Sequence, residues 1–105
     1  MSDRFVSPEK PPEGIDRELL TIALEECAEV QQRITKALRF GLREIQPGQP
    51  YDNMQRVAHE IGDLLEVFAR MGRSGLTDGR EVEYGMKRKR EQLAKFMQSQ
   101  QENAQ

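Results

Sequence analysis

Leu24-Glu25-Glu26-Cys27-Ala28-Glu29-Val30 decides how this chain folds. Three acidic residues stand inside a pattern of apolar residues recurring at helical spacing. Leu19, Ile22, Ala23, Val30, Ile34 and Ala37 form a stripe at about 100° per residue, and Glu26 falls within it rather than opposite it. A carboxylate in such a stripe is costly unless it is paired or takes up a proton. A second acidic cluster, Glu60-Ile61-Gly62-Asp63, lies in a second apolar series made by Val57, Ile61, Leu64, Leu65, Phe68 and Met71.

Working outward, the first helix is expected from about Asp16, as N-cap, to Phe40, with Gly41 as its stop. Gln46-Pro47-Gly48-Gln49-Pro50 is a break. A second helix follows from Asp52 or Asn53 to Met71, ended by Gly72, Ser74 and Gly75. A third runs from Thr77 or Asp78 to Gln98 on Val82, Met86, Leu93, Phe96 and Met97, with Gly79 and Gly85 weakening its first half. No strand-like alternation and no internal repeat interrupt this series. The fold expected is all-α: an antiparallel helical bundle of about three main helices, completed by oligomerisation. Residues 1–14, with Pro8, Pro11, Pro12 and Gly14, read as a flexible arm, 15–98 as one helical domain and 99–105 as a polar tail.

Composition bounds the function. The 105 residues are 36% hydrophobic, with no Trp and 6% aromatics, so the core rests on aliphatic residues and Met. A net charge of −2 argues against a generic nucleic-acid surface. One cysteine, Cys27, excludes an internal disulfide, and its helical setting reads as a small buried hydrophobe. No signal peptide and no apolar run of about 20 residues are visible, so a cytoplasmic location is expected, with no membrane partner.

The acidic clusters carry the chemistry. Glu26 and Glu29 are three apart, as are Glu60 and Asp63, so each pair shares a helix face. Glu25, four before Glu29, borders the first pair. If the two helices pack antiparallel, the four carboxylates converge on a hard cation, Mg²⁺ or Mn²⁺. The competing reading is an ordinary solvated acidic face, with Glu60 at the edge of its stripe and Asp63 further out. A di-iron site needs Glu-x-x-His on two helices, which the single His59 does not supply; His59 reads as a surface or interface residue.

Leu24 to Val30 and Glu60-Ile61-Gly62-Asp63-Leu64-Leu65 resemble the EExxE and ExxD motifs of the MazG-like, all-α nucleoside triphosphate pyrophosphohydrolases. Lys36-Ala37-Leu38-Arg39-Phe40-Gly41 is similar to a stretch in small single-domain, phage-type members. The similarity spans about Ile15 to Met97. It implies Mg²⁺-dependent hydrolysis of a ribo- or deoxyribonucleoside triphosphate between the α and β phosphates, giving monophosphate and pyrophosphate, in a homo-oligomer, dimer or tetramer. By position it makes Glu26, Glu29, Glu60 and Asp63 the metal ligands. Glu25 would support a second metal or orient the attacking water, and Glu25 and Glu26 together are the catalytic pair. Lys89 is the first choice for holding phosphates, with Arg90 and Lys95 as alternatives. The spacer from Val30 to His59 departs from many members by carrying Pro47-Gly48-Gln49-Pro50, and such loops border binding pockets.

Other residues keep two readings. Lys87-Arg88-Lys89-Arg90 can hold phosphates or form a solvated face paired with Glu83 and Glu91. Lys36 and Arg39 can reach phosphates or complement a helix C-terminus. Phe40 and Tyr51 can stack on a base or cover a core. The alternative to an enzyme is a non-catalytic helical module that binds a nucleotide or a protein.

Overall fold

The computed structural model describes residues 9–97. They form three helices: α1 (Gly14–Phe40), α2 (Asn53–Arg73) and α3 (Gly79–Phe96). Among the described residues there is no strand, and no helix is long and apolar enough to cross a membrane. Most of the expected arm, the tail, and Gln98 lie outside the described residues. The chain divides into two compact units, Met1–Met71 and Gly72–Gln105.

The helix ends follow from local chemistry. α1 begins two residues before the expected Asp16. Gly14 enters it at φ +61°, a backbone that costs glycine little, and the Arg17 N–H closes the first turn on the Glu13 carbonyl at 3.4 Å. Asp16 is therefore not the N-cap but an acid in the first turn, where it complements the macrodipole. Gly41, at φ +98°, ends α1 as expected and donates its N–H to the Ala37 carbonyl at 2.9 Å.

α2 begins with a reciprocal cap. The Gln55 N–H donates to Asp52 Oδ1 at 2.8 Å, and the Asp52 N–H donates to Gln55 Oε1 at 3.0 Å, a capping box with Asp and Gln in its two places. The next residue, Asn53, is 2% exposed, the lowest value among the buried residues. Its amide donates to the Gly41 carbonyl at 2.8 Å and to Glu44 Oε1 at 3.0 Å. Its backbone N–H donates to the Glu44 carbonyl at 3.0 Å. Arg56 holds Gln46 Oε1 at 3.0 Å, and Arg43 meets Asp52 at 3.4 Å. The loop between α1 and α2 is thus folded back onto the start of α2. In the second unit, Asp78 caps α3 by accepting from the Arg80 N–H at 2.9 Å.

Within the first unit, α1 and α2 form an antiparallel hairpin. The covered positions step by four and three: Leu19, Ala23, Glu26, Val30, Arg33 and Ala37 on α1, and Asn53, Val57, Glu60, Leu64, Val67 and Met71 on α2. This is a coiled-coil-like seam, with Ala23 letting the backbones approach. Only Ala23 and Met71 are buried hydrophobics among the described residues.

The rest of the apolar pattern stays open in the single chain. Ile22, Ile34, Ile61, Leu65 and Phe68, read as core from the sequence, are 38–61% exposed. Cys27, expected as a buried hydrophobe, is exposed. The reason is geometric: each apolar arc is wider than one seam. Cys27, Ile34 and Leu38 flank the seam on α1, and Ile61, Leu65 and Phe68 flank it on α2. In an antiparallel pair these flanks lie on the same side.

Asn53 gives this part of the fold its direct test. Asn53→Ala strands the Gly41 carbonyl and Glu44, and is expected to cost about 1–3 kcal/mol in urea unfolding. A change below about 0.5 kcal/mol, the size of an ordinary surface substitution, contradicts the role given to it.

Candidate metal centre

The polar members of the seam define the site. Glu26 lies midway along α1 and Glu60 two turns into α2, each at a position the 3–4 spacing turns toward the partner helix. Asp63, one turn after Glu60, is exposed at the edge of the seam. One carboxylate oxygen from each of Glu26, Glu60 and Asp63 can be chosen so that all lie within 4.8 Å of one another. Glu29 is half-buried on the flank of α1 that faces the same side as Asp63, and its charge acts on Glu60.

Electrostatically the cluster is unsatisfied. Oε2 of Glu26 and Oε2 of Glu60 are both out of solvent contact, and neither has a hydrogen-bond donor. Burial pushes the Glu60 carboxyl above its ordinary value. The hydrogen bond that a protonated Glu60 would make to Glu26 pushes it the same way, as do the charges of Glu26, Asp63 and Glu29. Two buried acceptors facing each other without a donor are what a cation or a proton resolves. The donor set is oxygen only, which fits Mg²⁺ or Mn²⁺ and disfavours Zn²⁺. The residues present therefore fit a divalent cation, with Glu26, Glu60 and Asp63 to hold it and Glu29 beside them.

The remaining predicted residues are placed differently. Glu25 is exposed, outside the group formed by Glu26, Glu60 and Asp63. Lys36 is half-buried in the last turns of α1, and the exposed Arg39 lies 5.1 Å over the Phe40 ring. Lys89, Arg90 and Lys95 are exposed on α3, where Lys95 lies 5.6 Å over the Phe96 ring. Lys89 differs from the other two. Val82, Met86, Lys89, Leu93 and Phe96 step by four and three, so Lys89 interrupts the apolar arc of α3 as Glu26 interrupts that of α1. His59 is exposed, as expected, and packs edge-on against Tyr51.

Asp52 and Asn53, which hold the loop to the start of α2, were read from the sequence only as alternative starts of that helix. The signal was present: Asp-x-x-Gln directly after Pro50 is a capping-box spelling. A groove near the start of α1, lined by Pro12, Arg17, Leu20, Thr21 and Leu24, contains none of the acidic cluster. No family model, no curated protein and no solved structure matches this chain.

The raised Glu60 pKa makes a prediction about the metal-free protein. Folding holds a proton on Glu60 more tightly than the unfolded chain does, so the native state binds more protons above the unfolded value of 4.5. The contribution of this group to stability is therefore expected to fall as pH rises from 4.5 through the raised folded value. Glu60→Gln supplies a donor to Glu26 and should flatten this segment of the profile. It should stabilise the metal-free protein at pH 7 by on the order of 1 kcal/mol. A Glu60→Gln protein less stable than wild type at pH 7 without metal contradicts the cluster's electrostatics.

Proposed function

We propose that this chain is a MazG-like nucleoside triphosphate pyrophosphohydrolase, dependent on Mg²⁺, with Mn²⁺ as a substitute. The observation that carries the reading is the pair of buried, donor-less oxygens on Glu26 and Glu60, with Asp63 in reach. Like charges at a helix–helix seam are costly, and carboxylates perturbed in this way cluster at functional sites. A triphosphate is repelled by a carboxylate cluster, so a cation held by Glu26, Glu60 and Asp63, with Glu29 beside them, would supply charge neutralisation and polarisation of the attacked phosphate.

The chain's own residues have definite tasks in this reading. Glu25, in solvent on the Glu29 flank, accepts the proton of the attacking water. The water oxygen forms the new bond to phosphorus, the bridging bond between the α and β phosphates breaks, and pyrophosphate leaves with the bond's electron pair. The resemblance assigns stabilisation of that charge to Lys89, ahead of Arg90 and Lys95, and the place of Lys89 in an apolar arc gives it reason to find an anionic partner when the arc is covered. Lys36 and Arg39, near the end of α1, are further phosphate contacts.

The open apolar flank of the hairpin supports a homo-oligomer, dimer or tetramer, in which a second copy covers Ile34, Ile61, Leu65 and Phe68. A cytoplasmic enzyme with no nucleic-acid or membrane partner completes the reading. The same flank also favours the alternative, a non-catalytic helical module that binds a nucleotide or a protein. Turnover separates the two.

Pyrophosphate release from a panel of nucleoside triphosphates is expected with Mg²⁺ and is expected to vanish with chelator. Glu26→Gln and Glu60→Gln should each lower it by more than about 100-fold. No turnover on any nucleotide by the folded, Mg²⁺-supplied protein overturns the enzymatic reading and leaves the interaction module.

A further inference from the structure

The loop between α1 and α2 presents an aromatic residue near its end. Tyr51 is 45% exposed, although the two residues after it, Asp52 and Asn53, are 8% and 2% exposed. The Asp52–Gln55 cap holds the backbone directly after it. The Tyr51 ring meets the His59 imidazole at 4.8 Å between centroids and 87° between planes, an edge-on contact. An edge-on pair leaves one ring with an unstacked face.

The position of this pair is what gives it a use. His59 stands four residues before Asp63, so the two are neighbours on one helix face, about 6 Å apart between Cβ atoms. On the α2 wheel, His59 lies on the Asp63 flank of the seam, away from the apolar flank of Ile61, Leu65 and Phe68. The Tyr51–His59 pair is thus an aromatic wall beginning about one helical turn from the acidic cluster and exposed to solvent. A triphosphate seated at the cluster carries its nucleoside beyond the α phosphate, and a wet aromatic face at that reach is suited to the flat face of a base.

We propose that Tyr51, held by His59, is the base-contacting wall of the site. This rests on the metal-dependent triphosphate reading above. Tyr51 meets the base; His59 is a positioning residue that fixes the Tyr51 ring.

His59 is the only histidine, so its ring protons give a single, assigned-by-default NMR reporter. Three probes are used on the full chain. Mn²⁺ alone should broaden the His59 resonances, because the cluster is close. With Mg²⁺, a non-hydrolysable α,β-methylene nucleoside triphosphate should shift them by ring current, while inorganic tripolyphosphate should leave them nearly in place. Tyr51→Leu should weaken binding of the analogue about tenfold, and Tyr51→Phe should restore it, because the stacking face is kept and only the hydroxyl is lost. Absence of Mn²⁺ broadening overturns the metal-site reading and this inference with it. Broadening by Mn²⁺, with equal responses to nucleotide and tripolyphosphate or with Tyr51→Leu binding as wild type, overturns this inference alone.

Discussion

Two glutamates at core positions of a helix–helix seam govern the rest of the first unit. Glu26 and Glu60 occupy places where the 3–4 spacing otherwise puts Ala23, Val30, Val57 and Leu64. Each leaves one oxygen without solvent and without a donor. A seam of this length gains little from its two buried hydrophobics, and like charges facing each other take some of that gain away. A proton relieves this arrangement at low pH; under the proposed function a cation relieves it at neutral pH.

The ends of the hairpin offset that weakness. The Asp52–Gln55 cap, the Asn53 amide and the Arg56–Gln46 contact bind the loop to the start of α2. They set the register of α2 against α1, and the register decides that Glu60 rather than Ile61 faces Glu26. A shift of one residue would carry Glu60 round the helix by about 100° and exchange the acidic side for the apolar one. The loop network therefore positions the site although none of its residues belongs to the acidic cluster.

Much of this was legible in the sequence, and the misses have physical causes. Glu26 announced itself because a single wheel places it among Ala23, Val30 and Ala37. Glu60 was read at the edge of its stripe because Ile61, Leu65 and Phe68 pull the apparent centre of the arc toward them. The arc in fact merges two faces, one packed on α1 and one open, and a single-helix wheel cannot separate them. Cys27 was read as buried for the same reason, since it lies on the α1 side of that open flank. Asp16 was read as a cap because Asp is a strong N-cap, yet Gly14 admits the turn two residues earlier. Gly79 and Gly85 weakened the expectation for α3, but Asp78 caps it and both glycines are helical. Asn53 was read only as a possible helix start because its partners, Gly41 and Glu44, are nine to twelve residues away, and a hydrogen bond across a loop leaves no periodic trace.

The central claim is that the seam is built around a divalent cation. Calorimetric titration of Mg²⁺ and Mn²⁺ into the metal-free protein at neutral pH, with thermal unfolding beside it, tests it most directly. The account predicts saturable binding and a stabilisation of about 2.7 kcal/mol at a hundredfold excess over Kd, with both lost in Glu26→Gln and Glu60→Gln. Absence of binding, or binding and stabilisation retained in both variants, would contradict it.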